Sequence, residues 1–245
     1  MRLRLLSLYP DQMNIYADRG NLTLLRKRCE WRGIEFTVTG CGLGEEFDHR
    51  DFDLIYMGGG QDRDQKAVAG DLVGTKREQM AAARDDGVVI LAVCGGYQLL
   101  GRSYQLDDEQ IQGLGLVGLE TVRDPGPRLI GPVAISVSLD GSERTLAGFE
   151  NHGGRTWLDP GCEPLGRVKS GHGNNGKDGT EGVQQGNLIG TYLHGPLLPK
   201  NAWFADHLIK LALEHHHGGG VDLTPLSDEF ETAAHQSALE AARAG

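Results

Sequence analysis

Apolar and polar positions alternate along the first hundred residues in a way that predicts short strands separated by helices. Leu3 to Tyr9 alternates as a strand. Asn21 is placed to cap a helix that carries Leu22, Leu25 and Cys29 on one face and stops at Gly33. Ile34 to Thr39 reads as a second strand, and Leu54 to Met57 as a buried one that ends abruptly at Gly58-Gly59-Gly60. Asp71 to Asp86 is alanine-rich and helical, with Gly87 as its stop. Val88 to Val93 is the most apolar run in the chain, and Cys94-Gly95-Gly96 and a helix-like Tyr97 to Leu100 follow it. Strands alternating with helices predict a mostly parallel sheet flanked by helices.

After Gly101 the pattern changes. Leu116 to Val122, Ile130 to Leu139 and Leu188 to Leu193 read as strands joined by glycine-rich turns, which predicts an antiparallel extension of the same sheet. Gly171 to Gly186 reads as a long loop. Asn201 to Glu214 has a helical stripe of Phe204, Leu208 and Leu211. The expected organisation is one α/β domain over residues 1–215 and a tail over 216–245 with one weak helix, whose start is marked by Ser227-Asp228-Glu229.

Composition narrows the function. The chain has 245 residues, 24 Lys and Arg against 34 Asp and Glu, and a net charge of −10. Such an acidic balance argues against nucleic-acid binding or attachment to a membrane surface, both of which need basic patches. No apolar run approaches the ~18 residues of a membrane span, and the N-terminus turns polar at Asp11, too early for a signal peptide. Cys29, Cys41, Cys94 and Cys162 are widely spaced, which points to a reducing, cytoplasmic compartment and gives no zinc framework.

The strongest chemical signal is Ala92-Val93-Cys94-Gly95-Gly96. A buried strand delivers a nucleophile-type residue to the start of a helix, with small residues two positions either side, as in a nucleophile elbow. The helix N-terminus favours the thiolate, and the Gly95 N–H points where an oxyanion would form. Of nine histidines, His194 stands out because it closes a strand and would lie at the sheet edge that holds the elbow. His152, in Glu150-Asn151-His152-Gly153-Gly154-Arg155, competes with it but sits among turn residues. His49, His207 and His235 have bland settings, and His215-His216-His217 reads as a solvated helix end rather than a metal tract.

Two glycine patterns are set aside. Gly171 to Lys177 matches a Walker A loop, but Asp178 replaces the hydroxyl that would hold magnesium and no helix follows. Gly113 to Gly118 matches G-x-G-x-x-G without the strand before it or the helix after it.

Cys94-Gly95-Gly96-Tyr97-Gln98 resembles the elbow of class I glutamine amidotransferases, and the chain is similar to their cobyric-acid-synthase-like branch. Within that branch it looks most like the GatD-type glutaminase subunits of lipid II isoglutaminyl synthase. The resemblance is carried by residues 16–21, 56–62, the elbow, Glu150 to Thr156, Gly173-Asn174-Asn175-Gly176 and Gly190 to Asn201. It implies a flavodoxin-like α/β fold and hydrolysis of L-glutamine through a cysteine thioester. Ammonia would pass to a Mur-ligase-like, MurT-type partner that amidates the D-glutamate of lipid II. ATP and magnesium are expected on the partner, with no cofactor and no metal in this chain. The implied roles are Cys94 as nucleophile, His194 as general base, and Gly95 and Gly60 as oxyanion donors. Gln98 is expected near the amide, and Arg128 on the α-carboxylate of glutamine.

One position departs from the wider superfamily. Pro196 stands where many relatives carry a triad glutamate, so the orienting acid is either absent or supplied from elsewhere, with Asp18 and Glu150 as candidates and a turn or capping role favoured for each. Two other readings remain: the glutaminase part of a cobyrinate-type amidating system, and a stand-alone cysteine hydrolase of γ-glutamyl substrates.

Overall fold

The structure, a computed structural model, describes residues 1–14, 19–60, 62–106, 109–139 and 141–244. Its first part is built from β1 (Arg2–Leu8), α1 (Arg19–Glu30), β2 (Glu35–Cys41), β3 (Leu54–Met57), α2 (Asp62–Asp71), a π-helical turn (Leu72–Lys76), α3 (Arg77–Asp86), β4 (Val89–Val93) and α4 (Gly95–Leu100). Ten strands follow, most of them short: β5 (Ser103–Leu106), β6 (Glu109–Gln112), β7 (Leu119–Arg123), β8 (Leu129–Leu139), β9 (Ser142–His152), β10 (Gly154–Leu158), β11 (Gly166–Ser170), β12 (Thr180–Glu181), β13 (Val183–Gln185) and β14 (Leu188–Thr191). Helices α5 (Ala202–His217) and α6 (Glu229–Ala244) complete the chain.

The main sheet has the order β13-β14-β4-β3-β1-β2. Its last five strands in that order are parallel, and β13 runs antiparallel at the edge. This is the flavodoxin-like order, with the first strand inside the second and the late strand β14 beside the fourth. All five residues of β4 are buried, as a central parallel strand covered on both faces requires. Gly87, at φ +83°, supplies the left-handed stop that ends α3 and feeds β4.

The antiparallel extension is distributed. Of these later strands β13 and β14 join the main sheet, β14 parallel to β4 and β13 antiparallel to β14; the other eight form two separate four-stranded sheets, β10-β7-β5-β6 and β12-β11-β8-β9. The long β8–β9 hairpin pairs residue by residue from Leu129↔His152 to Leu139↔Ser142. Asn21 does not cap α1. It lies inside the helix and is buried, its amide nitrogen donating to the Tyr56 hydroxyl (3.0 Å) and its oxygen accepting from the Leu198 amide (2.8 Å). Because both halves of its carboxamide are used across the fold, Asn21 ties β3 to the segment after His194. Helix α6 lays Leu239 and Ala242 against Ala134 of β8 and Ala147 of β9. The approach to α6 is fastened by the buried guanidinium of Arg28, which pairs with Asp206 (2.5 Å) and Asp228 (2.8 Å). Among the described residues, no helix is long and apolar enough to cross a membrane.

Candidate active site

Cys94 occupies the one-residue gap between β4 and α4 with φ +53° and ψ −110°. A non-glycine residue at positive φ costs energy that the surrounding packing must offset, and such strain collects at functional sites. The packing that holds it is close. A Cβ added to Gly96 would lie 2.7 Å from the carbonyl oxygen of Met57 and 2.8 Å from that of Gly58, so only glycine fits there. The Gly96 amide donates to the Gly58 carbonyl (3.2 Å). A Cβ on Gly95 would come within 3.2 Å of the Gly60 amide nitrogen. The glycine turn after β3 thus lies directly against the elbow, with the Gly60 and Gly95 backbones side by side.

Gln65, which no local signal in the sequence marks, belongs to this corner. It is buried, its Nε2 donates to the Gly60 carbonyl (3.3 Å), and it fills the position a Gly95 Cβ would take. Its amide braces the turn at the Gly60 carbonyl, next to the Gly95 backbone.

The other side of the site descends from β14. The Cys94 amide donates to the Thr191 carbonyl (2.8 Å), so the elbow and the end of β14 are joined through the main chain. His194 lies three residues on and is 1% exposed. It exchanges both backbone hydrogen bonds with Phe149 of β9, at 3.0 and 3.1 Å. Burial, reinforced by the charges of His152, Lys200 and Arg128 and opposed by Glu150, holds its imidazole down to about 4. It is therefore neutral at neutral pH and able to accept a proton.

His152, the competitor, is also buried. Its Nδ1 is engaged with the Gly154 carbonyl (2.8 Å), and its ring stacks on Tyr192 with centroids 3.6 Å apart. Glu150 is fully buried beside it. Burial alone would raise this carboxyl's pKa, but the nearby His152 and hydrogen bonds from His172 and from the amides of His172 and Gly173 hold it below its ordinary range. Its hydrogen-bond contacts are to the His172 amide (2.7 Å), His172 Nδ1 (2.8 Å) and the Gly173 amide (2.8 Å). Its nearest approach to His152 Nε2 is 3.8 Å. Glu150 thus closes the turn that opens the glycine-rich loop. Asp18 lies outside the described residues.

Gln98 is buried behind the elbow. Its Nε2 donates to the Tyr192 hydroxyl (3.1 Å), and that hydroxyl continues through Thr156 (2.6 Å) to Thr121 (2.8 Å). Arg128 is exposed, held by Asn151 through Nε on the side-chain oxygen (2.9 Å) and Nη2 on the carbonyl (2.9 Å). Its Nη1 lies 3.4 Å from the position of an added Gly153 Cβ. The neighbouring Arg155 is buried and bonded to the carbonyls of Gly153 (2.9 Å), Gly154 (3.3 Å) and Pro127 (2.7 Å), so it braces the strand end against the loop carrying Arg128.

The Walker-like loop is internally spoken for. The Gly173 amide is on Glu150, the Asn174 amide on the Thr180 carbonyl and the Gly176 amide on the His172 carbonyl. The Lys177 and Asp178 amides are on the Asn175 side chain. Backbone N–H groups already bonded in this way cannot cradle a phosphate. Asn174 instead receives the Tyr97 hydroxyl (3.0 Å), which docks the loop onto α4. At the end of α5, His215 meets the Asp86 carbonyl (3.1 Å) and His216 meets Asp53 (3.3 Å). Among the described residues, no cluster of three or more His, Cys, Asp or Glu could hold a metal.

A strained cysteine at a strand–helix junction, with a glycine turn against it and a buried imidazole just past the neighbouring strand, is the arrangement that cysteine-dependent acyl transfer on a doubly wound sheet requires. Over residues 4–202 the chain matches the CobB/CobQ-like glutamine amidotransferase domain, and it belongs to that family of enzymes. It is 39% identical over 228 residues to the GatD subunit of lipid II isoglutaminyl synthase (glutamine-hydrolyzing) of Streptococcus pneumoniae, covering 93% of this chain and 86% of that protein. It is 38% identical over 235 residues to the GatD subunit of Staphylococcus aureus, covering 95% and 93%. A probable cobyric acid synthase of Methanopyrus kandleri matches less of it, 39% identical over 48% of this chain and 26% of that protein. Among solved structures, PurLQS of Thermotoga maritima shares the fold with a TM-score of 0.62 at 20% identity, covering 88% of this chain and 100% of the other. A glutamine amidotransferase of the same organism gives 0.52 at 14% identity, covering 99% and 92%.

Proposed function

We propose that this chain is the cytoplasmic glutaminase subunit of a lipid II isoglutaminyl synthase, working as a heterodimer with an ATP-dependent, Mur-ligase-like partner of MurT type. The observation that carries the reading is similarity along nearly the whole chain to two GatD subunits, together with a cysteine elbow joined to the strand end that leads to His194.

In this mechanism neutral His194 takes the thiol proton of Cys94 as the sulfur attacks the side-chain amide carbon of L-glutamine. The amides of Gly95 and Gly60 hold the resulting oxyanion, and Gln65 braces the turn that carries Gly60. His194 delivers a proton to the departing ammonia and then takes one from the water that cleaves the thioester. Arg128, steadied by Asn151, presents its free guanidinium edge to the α-carboxylate. Gln98 acts from behind, through Tyr192. Ammonia passes to the partner, which holds ATP and magnesium and amidates the D-glutamate α-carboxylate of lipid II.

The test is co-expression with a Mur-ligase-like protein from the same genome. The complex should amidate lipid II with glutamine. With Cys94→Ala it should do so only with high free ammonia. A chain that hydrolyses glutamine but forms no complex, or that prefers other γ-glutamyl amides, would replace this reading with that of a stand-alone hydrolase.

A further inference from the structure

Glu181 is a carboxyl that the mechanism above does not use. It is 0% exposed, and its Oε2 has no hydrogen-bond partner among the described residues. Burying an acid in this way is costly unless it supports something. Its Oε1 accepts two hydrogen bonds, from the Thr191 hydroxyl (2.7 Å) and the Tyr192 amide (2.7 Å).

Those two donors lie where β14 stops being a strand. Past Thr191 the chain turns out of the sheet, and each amide finds a different partner. The Tyr192 amide goes to Glu181, the Leu193 amide to the Thr191 hydroxyl (3.0 Å) and the His194 amide to the Phe149 carbonyl (3.0 Å). The Thr191 carbonyl receives the Cys94 amide. The Thr191 hydroxyl can receive the Leu193 amide because its own proton is committed to Glu181. One carboxyl oxygen therefore fixes the first two steps of the bend that runs from the elbow to His194.

We propose that Glu181 is a positioning residue for the glutaminase reaction, its carboxyl shaping the Thr191-to-His194 bend that sets the imidazole against Cys94. The proposal rests on the assignment of Cys94 and His194 given above. The titratable and charged groups around Glu181 are Glu150 of β9, Tyr97 of α4, Tyr192 itself and Asp178 of the loop, with Arg167 of β11 opposite Thr180 and exposed. None supplies a buried counter-charge. Burial first, with Glu150 adding to it, pushes the carboxyl up to about 7 against the pull of its hydrogen bonds. The acceptor thus strengthens as it ionises across neutral pH.

The experiment measures glutamine hydrolysis by the full-length chain as Glu181→Leu and as Glu181→Gln, at pH 6 and pH 8, per folded molecule. Glu181→Leu strands both donors. A catalytic group displaced by about 1 Å loses on the order of 10²-fold, so kcat should drop about 10- to 100-fold with KM within about 2-fold. Glu181→Gln keeps an acceptor and should recover most of that, losing about 3- to 10-fold at pH 8 and approaching wild type at pH 6, where the native carboxyl is itself protonated. If Glu181→Leu does not fold, the pH dependence of Glu181→Gln decides. A folded Glu181→Leu enzyme with wild-type kcat, or a Glu181→Gln enzyme equal to wild type at both pH values, overturns the proposal. Cys94→Ala and His194→Ala are run beside them: if Cys94→Ala retains more than a trace of activity, or His194→Ala loses less than about 10²-fold, the assignment of the site fails instead.

Discussion

His194 and Phe149 form an isolated antiparallel bridge, the amide of each donating to the carbonyl of the other. The bridge places His194, just past the end of β14, beside a strand of another sheet. That strand goes on to Glu150, Asn151 and His152. The position of the imidazole, the anchor of Arg128 and the brace on the glycine-rich loop are therefore set by one length of β9.

Cys94 should be the reactive thiol. Cys29 is fully buried and its thiol is pushed up to about 12, chiefly by burial, and burial also raises Cys41. Iodoacetamide should label Cys94 ahead of Cys29, Cys41 and Cys162, and glutamine should slow that labelling. Cys94→Ala should fold and release no ammonia; more than a trace of turnover would remove it as nucleophile.

Changing the two buried histidines should separate their roles. Loss of positioned proton transfer typically costs ~10²–10⁴-fold, and His194→Ala should fall in that range. His152→Ala should cost far less in kcat, because that ring serves as a platform for Tyr192. Equal or greater damage from the His152 change would exchange the two assignments.

Arg128→Ala should act on binding. A charge-assisted contact to a carboxylate is worth about 1.5–3 kcal/mol, so KM should rise roughly 10- to 150-fold with kcat little changed. Protection of Cys94 by glutamine should disappear while its unprotected labelling rate stays the same. Arg155→Ala should instead lower the melting temperature, since its bonds are to backbone carbonyls within the protein. Unchanged glutamine protection in Arg128→Ala would move the carboxylate anchor elsewhere.

The buried imidazole also predicts a pH dependence of stability. In the unfolded chain His194 takes its proton near the ordinary 6.5, in the folded chain only near 4. Between those values the unfolded state binds more protons, so stability falls as pH falls across that window, by up to about 1.4 kcal/mol per pH unit. Comparing urea midpoints at pH 7 and pH 4.5, wild type should lose more than His194→Gln. Glu150 and Glu181 titrate in both proteins and cancel in the comparison. Equal losses would show that the imidazole does not pay a burial penalty in solution.

What could be read in the sequence was local. The run Val88 to Val93 followed by Cys94-Gly95-Gly96 specifies a buried strand and a tight turn without reference to any other part of the chain, and the structure has both. The helix stopped by Gly87 is legible for the same reason, while α1 ends at Glu30 and a turn carries the chain on to Gly33. The pairings that finish the site were not. Nothing near Phe149 signals that it will bridge to His194. Asn21 looks like a cap because its neighbours beyond the helix, Tyr56 and Leu198, are distant in sequence. Gln65 and Glu181 gain their roles only through burial against residues from other elements. The β8–β9 hairpin was half visible, because β9 opens on charged residues that hide its alternation.

The place of β14 in the main sheet has a consequence for how the protein is made. Its four residues pair with Ile90 to Val93 across about a hundred residues of intervening chain. At a synthesis rate of about 5–20 residues per second, the ribosome takes roughly 5–20 seconds to reach β14 after β4 has emerged. Through that interval the most apolar strand of the protein has one open edge, a ready template for pairing with another chain. The nascent polypeptide is thus most prone to aggregate just before Cys94 acquires a neighbour, and the step that closes this edge is the same one that brings the end of β14, and with it His194, to the elbow.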